Sequence, residues 1–215
     1  MNDIVNQSKD ELKKCKTTGD VRKLSAKLFR NISDKSKDSV FRICGELLEQ
    51  RNWAMGVIAF DFAYRVRKQY DENTFYLFER WLHNYVSGWG ECDDFCTHAF
   101  GELIIQQPYF FSKVKEWTKC DQFWMRRASA VVLIPAIHQD TYNHFNILEI
   151  SDALMSDEHD LVRKGYGWML KILATKEPEI VIQYLIKNHK TMPRVSFRYA
   201  MEKLGKEQKD FLMKL

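Results

Sequence analysis

Residues 53–68 read WAMGVIAFDFAYRVRK, and this stretch carries the pattern that defines the fold. Val57, Phe60 and Tyr64 recur at i, i+3 and i+7, which is the spacing of an apolar stripe on one face of an α-helix. Similar stripes occur at residues 74–86, 94–106, 124–137, 144–155, 160–174, 178–188 and 194–204. Breaks between these segments are short and marked by proline, at Pro108, Pro178 and Pro193. We therefore predict an all-α protein.

Four of the predicted helices share a register. They read WAMGVIAFDFA from Trp53, WMRRASAVVLI from Trp124, LVRKGYGWMLK from Leu161 and RVSFRYAMEKL from Arg194. Six positions after each start comes a small residue that would let a neighbouring helix approach closely, namely Ala59, Ala130, Gly167 and Ala200. Two helices in a repeat of about 35 residues are typical of an α-solenoid. A plain helical bundle is the alternative, but it would not require the recurring register.

Composition agrees with a helical protein. The 215 residues include only 9 Gly and 4 Pro, whereas a sheet protein needs turn residues every few positions. Formal net charge is +4, and residues 113–215 carry the whole excess of Lys and Arg over Asp and Glu, which hints at a polyanionic partner. The 5 cysteines are an odd number, which favours reduced thiols. Neither a signal peptide nor a membrane-spanning run is evident, so we expect a monomeric cytoplasmic protein, associated with the nucleoid and not with a membrane.

Basic residues recur near the starts of three repeat helices. They are Arg126 with Arg127, Arg163 with Lys164, and Arg194 with Arg198. Because equivalent positions of a solenoid lie on the same face, we expect these cations to form a row along a concave basic groove that matches the phosphates of a duplex. The alternative is that they are solvent-facing groups that only confer solubility.

A tryptophan and an aspartate lie one helical turn apart in residues 88–95, GWGECDDF. If a helix starts near Gly90, Trp89 and Asp93 lie close together at its N-terminal end. An aromatic face beside a carboxylate suits a developing positive charge. The alternative is that Asp93 or Asp94 caps the helix and Trp89 belongs to the core.

Cys92, Cys96 and His98 form the one candidate metal cluster. Zinc needs four ligands in tetrahedral geometry, and no second pair stands at a recognised spacing. We therefore predict that Cys92 and Cys96 are packing residues and that the protein uses neither a metal nor another cofactor.

From about residue 20 to residue 206, the chain resembles the AlkD-like DNA alkylation repair proteins, which are DNA glycosylases built from HEAT-like repeats. Four stretches carry the resemblance: Gly88-Trp89-x3-Asp93; Trp117 followed by Phe123-Trp124-Met125-Arg126-Arg127-Ala128; Val162-Arg163-Lys164-Gly165-Tyr166-Gly167-Trp168-Met169-Leu170; and Arg194-x3-Arg198-x-Ala200-x3-Leu204. The resemblance implies one HEAT-like repeat domain over residues 1–215, with about five to six helical pairs. Two departures are Gly90, where the family commonly has Asp, and the lack of the family's basic-aromatic first helix in residues 1–18.

The resemblance also implies an activity. Such an enzyme hydrolyses the N-glycosidic bond of positively charged alkylated purines in duplex DNA, of the 3-methyladenine and 7-methylguanine type. Asp93 would stabilise the oxocarbenium charge, Trp89 and Trp168 would line the cleft, and Arg127 would hold a phosphate. Arg126, Arg163, Lys164, Arg194 and Arg198 would contact the DNA. The competing hypotheses are a non-catalytic HEAT-repeat protein that binds DNA, and a protein–protein scaffold, which is a common use of solenoids.

Overall fold

The computed structural model describes residues 3–215, with side chains described from residue 4 onward. This part of the chain consists of α-helices joined by turns, short 3-10 segments and one π-helical turn, and it contains no β-strand. The all-α prediction is therefore confirmed. The chain divides into two compact units, Met1–Leu103 and Ile104–Leu215. Met1 and Asn2, which the predicted 1–215 domain includes, lie outside the described residues.

The first unit is built around one central helix. Its helices are α1 (Asp3–Leu12), α2 (Thr18–Arg30), α3 (Lys37–Leu48), α4 (Trp53–Arg65), α5 (Glu72–Tyr85) and α6 (Trp89–Phe95), which continues as a π-helical turn over Cys96–Phe100. Helix α4 packs against α2, α3 and α6. Side chains of Thr17, Asn52 and Asp71 accept hydrogen bonds from the first turns of α2, α4 and α5, which defines where these helices begin.

Aromatic side chains fill the core of this unit. Phe60 of α4 and Phe95 of α6 are stacked with their ring centroids 4.2 Å apart. Phe78 of α5 meets Phe95 edge-on at 5.1 Å. All three rings are almost entirely buried, and burying one Phe side chain stabilises a fold by about 1.5–3 kcal/mol. The core therefore holds α6 firmly against α4 and α5.

The second unit repeats the helix-pair arrangement. Its helices are α7 (Gly101–Gln106), which spans the boundary, α8 (Phe111–Glu116), α9 (Phe123–Val131), α10 (Ile134–His138), α11 (Ile147–Ala153), α12 (Asp160–Leu173), α13 (Pro178–Asn188), α14 (Arg194–Met201) and α15 (Lys206–Leu212). Helix α12 packs against both α9 and α14. The small residues predicted at these contacts, Ala130, Gly167 and Ala200, are all buried, and the close approach of a neighbouring helix is confirmed at Gly167.

Several helix boundaries differ from the prediction. The helix predicted over residues 124–137 is interrupted between Val131 and Ile134, because Pro135 lacks an N–H and its ring clashes with the carbonyl four residues earlier. The helix predicted over residues 94–106 begins five residues earlier, at Trp89, and contains the π-helical turn. Pro178 is the first residue of α13, as predicted.

Candidate active site

Trp89 and Asp93 lie on the short helix α6 of the first unit. Trp89 is the first residue of the helix, and its side chain is 56% exposed. Asp93 follows one turn later and is partly exposed. Residues four apart on a helix are neighbours on the same face. The exposed indole and the carboxylate therefore lie one helical turn apart on one helix, as their spacing in the sequence predicted.

The buried residues of α6 follow Trp89 in the chain and surround Asp93. Cys92, Phe95 and Cys96 are fully buried, and they occupy i, i+3 and i+4 positions that face the aromatic core. Burial of both thiols confirms that Cys92 and Cys96 are packing residues. Trp89 is exposed because it lies at the start of the helix, before the first buried residue, and Asp93 lies at the edge of the buried face.

The alternative interpretation of this helix is wrong. Neither Asp93 nor Asp94 caps it, because Gly88 is the N-cap and both carboxylates lie inside the helix. Trp89 is not a core residue either, since more than half of its surface is exposed. The buried face begins only at Cys92, so Trp89 lacks a core to pack against.

The backbone is irregular immediately after Asp93. Thr97 Oγ1 donates a hydrogen bond of 2.7 Å to the Asp93 carbonyl, and His98 Nδ1 lies 2.8 Å from the Asp94 carbonyl oxygen. The π-helical turn begins at Cys96. Single π-helical turns are frequent at functional sites, where they change the direction of nearby side chains.

A charged network beside Asp93 was not predicted from the sequence. Arg22 of α2 forms a salt bridge with Asp94 of α6. Asp61 of α4, which bonds Ser25 of α2, accepts a 2.7 Å hydrogen bond from Arg65 Nε. These contacts connect α2, α4 and α6 beside the candidate site. These contacts could not be predicted from the sequence, because the Arg22–Asp94 pair joins residues 72 positions apart and helical periodicity carries no signal for such pairs.

Burial dominates the electrostatics of Asp94. Its side chain is 12% exposed, and this desolvation raises the pKa of the carboxyl above its ordinary value. The Arg22 guanidinium and His98 oppose the rise, and Asp61 adds to it. Asp94 is thus a largely buried partner of Arg22, whereas Asp93, one helical turn from Trp89, is more exposed.

The remaining predicted site residues lie in the second unit, where Arg127 is the most buried of them. Its side chain is 5% exposed, and its Nη1 donates a hydrogen bond to the Leu161 carbonyl. Gly165 makes room for it, since a Cβ there would lie 3.0 Å from Arg127 Cγ. The guanidinium joins α9 to α12 in this structure, so its assignment to a phosphate stays a prediction.

Arg126 and Arg163 are also engaged within the protein. Arg126 Nε donates to Asp157 Oδ2 at 2.5 Å, and its Nη1 donates to the carbonyls of Cys120 at 2.8 Å and Asp121 at 2.7 Å. Arg163 Nε donates to the Asp157 carbonyl at 2.5 Å. These contacts hold the loop before α12, so both arginines have a structural role whether or not they contact DNA.

The other predicted cations are more accessible. Lys164 pairs with Asp160 at 2.6 Å, and this hydrogen bond raises the pKa of the ammonium. Arg194 is exposed and lies 5.1 Å from the centroid of the Phe197 ring. Arg198 is exposed one turn further along α14. Trp168 is half-buried on α12.

The described part of the chain offers little for a metal ion. No group of three or more His, Cys, Asp or Glu side chains is arranged to hold one among these residues. None of their helices is long and apolar enough to cross a membrane. No disulfide joins any of the five cysteines.

Helix pairs with small residues at their contacts define a helical-repeat protein, and its exposed tryptophan lies one turn before an aspartate. The family model described as "DNA alkylation repair enzyme" matches residues 16–204, and the chain belongs to this family. Membership in the family assigns the protein a role in DNA repair.

Solved structures show the same fold. One, described as a "predicted DNA alkylation repair enzyme" from Enterococcus faecalis, has a TM-score of 0.73 at 15% identity, over 88% of this chain and 87% of that one. AlkD2 from Streptococcus mutans has a TM-score of 0.65 at 17% identity, over 92% of this chain and 98% of that one. At these identities the likeness shows the fold, and it bears out the predicted helical-repeat class. No functionally curated protein matches the sequence significantly.

Proposed function

We propose that the protein is a DNA glycosylase that hydrolyses the N-glycosidic bond of positively charged N3- or N7-alkylated purines in duplex DNA. One observation carries the proposal: the exposed indole of Trp89 lies one helical turn from the partly exposed carboxylate of Asp93. Membership in the DNA alkylation repair family supplies the substrate class.

The chemistry requires little of the protein because the lesion is already a good leaving group. As the bond between C1′ and the purine nitrogen breaks, its electron pair neutralises the cationic purine and leaves positive charge on the sugar. Asp93 stabilises this oxocarbenium charge, and the face of Trp89 lies against the sugar. A water adds its oxygen to C1′ and loses a proton to Asp93 or to solvent, which gives the free base and an abasic sugar.

In the second unit, the predicted contacts are with the DNA backbone. Arg194 and Arg198 are exposed on α14 and can pair with phosphates without disturbing the fold. Trp168 would contact the sugar–phosphate backbone. Arg127 would contact a phosphate through guanidinium N–H groups that do not bond the Leu161 carbonyl. Arg126, Arg163 and Lys164 would contribute mainly to the positive potential of this surface.

The test is release of free base from duplex DNA treated with a methylating agent. Wild-type protein should release 7-methylguanine and 3-methyladenine faster than spontaneous depurination, and it should release no uracil from uracil-containing duplex, because a neutral base is a poor leaving group. Asp93→Asn should reduce release by about 10²–10³-fold, the usual loss for one preorganised electrostatic group. Asp38→Asn removes an exposed carboxylate from α3 and serves as the matched control, with release unchanged.

Two results would contradict the proposal. If wild-type protein binds duplex DNA but releases nothing above the spontaneous rate, the protein binds DNA without excising bases. If it shows no salt-dependent affinity for DNA at all, the scaffold hypothesis is favoured instead.

A further inference from the structure

The N-terminal part of the first unit carries a local excess of positive charge that the balanced total for residues 1–112 conceals. Asp20 is the only acid among residues 13–30, whereas the same segment holds seven basic residues. The basic residues are Lys13, Lys14, Lys16, Arg22, Lys23, Lys27 and Arg30. Six of these, all except the Asp94 partner Arg22, are exposed, and we call these six the N-terminal basic surface.

The arrangement of these residues follows from the packing of α2. Val21, Leu24 and Leu28 are buried, so positions on the opposite side of the helix face solvent. Lys23 and Arg30 are seven residues, or about two turns, apart on that exposed side, and Lys16 continues the same heptad spacing into the connection before α2. Lys16 to Arg30 therefore extends over roughly 20 Å, a length that spans several phosphates of one DNA strand at about 3.4 Å each.

Nearby carboxylates neutralise only part of this surface. Asp20 is used to cap α2, accepting hydrogen bonds from the backbone N–H groups of Lys16 and Thr17, and these bonds lower its pKa. Glu11 pairs with Lys27, and Asp10 pairs with Lys13, in exposed salt bridges that are readily exchanged. Lys14, Lys16, Lys23 and Arg30 form no salt bridge with any carboxylate of residues 4–215.

A surface of one charge sign is not what solubility alone requires. The end of a repeat array needs a polar face, and mixed charges supply it without repulsion. Lys23 and Lys27 instead stand at i, i+4, where like charges destabilise a helix, and the exposed salt bridge of Lys27 with Glu11 relieves this repulsion only in part. This cost is offset when a polyanion binds and its phosphates neutralise the lysines.

We propose that the N-terminal basic surface binds the sugar–phosphate backbone of duplex DNA, as a second contact region in addition to the cations of the second unit. The choice of DNA as the polyanion rests on the proposed function. An anionic membrane fits the structure less well, because a helix that lies on lipid needs an exposed apolar face and that of α2 is buried.

The experiment measures affinity for an unmodified duplex of about 20 base pairs at several salt concentrations. A triple variant, Lys16→Gln, Lys23→Gln and Arg30→Gln, removes three exposed charges that form no salt bridge with the described carboxylates. Each lost phosphate contact lowers the magnitude of the slope of log K against log salt by about 0.9, so we expect a decrease of about 2 to 3 and at least roughly tenfold weaker binding at 0.1 M salt. The charge-conserving variant Lys16→Arg, Lys23→Arg should keep the wild-type slope.

The matched control removes the same net charge from the same unit. Arg42, Lys68 and Arg80 are exposed on α3, on the 3-10 segment after α4 and on α5, and their replacement by Gln should leave slope and affinity unchanged. Far-UV circular dichroism establishes that every variant is folded.

Three results would overturn the inference: equal slopes for the triple variant and the control, no binding of wild type to the duplex, or loss of binding to phosphatidylserine vesicles with DNA affinity unchanged. Because the assay uses undamaged DNA and scores no base release, its outcome is independent of whether the protein excises bases.

Discussion

The backbones of Gly167 and Ser196 approach so closely that a Cβ on Gly167 would lie 3.0 Å from both the Cα and the carbonyl oxygen of Ser196. Gly167 belongs to α12 and Ser196 to α14, so this contact sets the separation of two repeat helices. A further bond reinforces it, since Ser196 Oγ donates to the Arg163 carbonyl at 2.9 Å. Gly167, one of the small residues that recur in the sequence, therefore allows α12 and α14 to pack closely.

Gly167→Ala should destabilise the protein although alanine favours helices. The added methyl meets backbone atoms, which cannot move aside, and overpacking of this kind costs about 1–3 kcal/mol. Gly45→Ala is the matched control, because Gly45 is also inside a helix and nothing lies within 4 Å of its Cβ position. That change should stabilise by up to about 1 kcal/mol. Urea unfolding measures both, and equal effects of the two substitutions would contradict the packing argument.

The pair between Arg22 and Asp94 should make stability depend on pH. Burial raises the pKa of Asp94, so the native state holds its proton more tightly than the unfolded chain does. The stabilising contribution of this group is present at low pH and is lost as pH rises from about 3.9, the ordinary value for Asp, through the raised native value. Above that interval Asp94 is ionised, and its buried negative charge is stabilised by the salt bridge with Arg22.

Arg22→Gln should therefore cost more free energy of unfolding at pH 7 than at pH 4. At pH 7 we expect about 1–2 kcal/mol, less than for a fully buried pair because about a third of the Arg22 side chain is exposed. Arg42→Gln, which breaks the more exposed Arg42–Glu46 pair, should cost at most about 0.5 kcal/mol at either pH. Chemical denaturation at the two pH values tests this, and a pH-independent cost for Arg22→Gln would be evidence against it.

Two arginines of the predicted basic row should behave differently. Arg126→Gln should destabilise the protein by about 2–3 kcal/mol, because it removes charge-assisted hydrogen bonds to Asp157 and bonds to two carbonyls. Arg198→Gln should leave stability within about 0.5 kcal/mol and weaken DNA binding in a salt-dependent way, since Arg198 is exposed. Thermal unfolding and fluorescence anisotropy distinguish the two effects. The assignment of Arg198 to DNA fails if its replacement leaves the salt dependence unchanged.

Trp53 provides a matched control for the proposed role of Trp89 in base excision. Each is the first residue of its helix, and they are 56% and 45% exposed. Trp89→Ala should lower the rate of base excision by roughly tenfold or more, because the indole positions the sugar beside Asp93. Trp53→Ala should leave the rate within about twofold, and neither change should alter stability by more than about 1 kcal/mol. Equal rates for the two variants would remove Trp89 from the site.

Much of the fold could be predicted from the sequence because helical periodicity and proline are local signals. The stripe from Val57 to Tyr64 and the start of α13 at Pro178 needed no tertiary information. Pro135 is also a local signal for a break, but the continuous apolar run around it favoured a single predicted helix over residues 124–137. The π-helical turn after Asp93 has no comparable local signal.

The site was predicted less completely. Trp89 and Asp93 could be placed because they are four residues apart on one helix. The Arg22–Asp94 pair could not, since only tertiary packing brings those residues together. The cations of the second unit were predicted to form one row because they occupy equivalent positions in the repeats. Their repeat positions could not predict which acidic side chains they meet, such as Asp157, which bonds Arg126. Excess charge on residues 13–30 was masked because acids elsewhere in the first half balance it.

Single-turnover excision from a duplex with one 7-methylguanine tests the central claim most directly, because excess protein keeps all of the DNA bound and isolates the chemical step. We predict that wild-type protein releases the base at a rate well above spontaneous depurination. Asp93→Asn should bind the duplex with unchanged affinity and release the base about 10²–10³-fold more slowly. Release by fully bound wild-type protein at no more than the spontaneous rate would contradict the assignment of Asp93 and the glycosylase activity together.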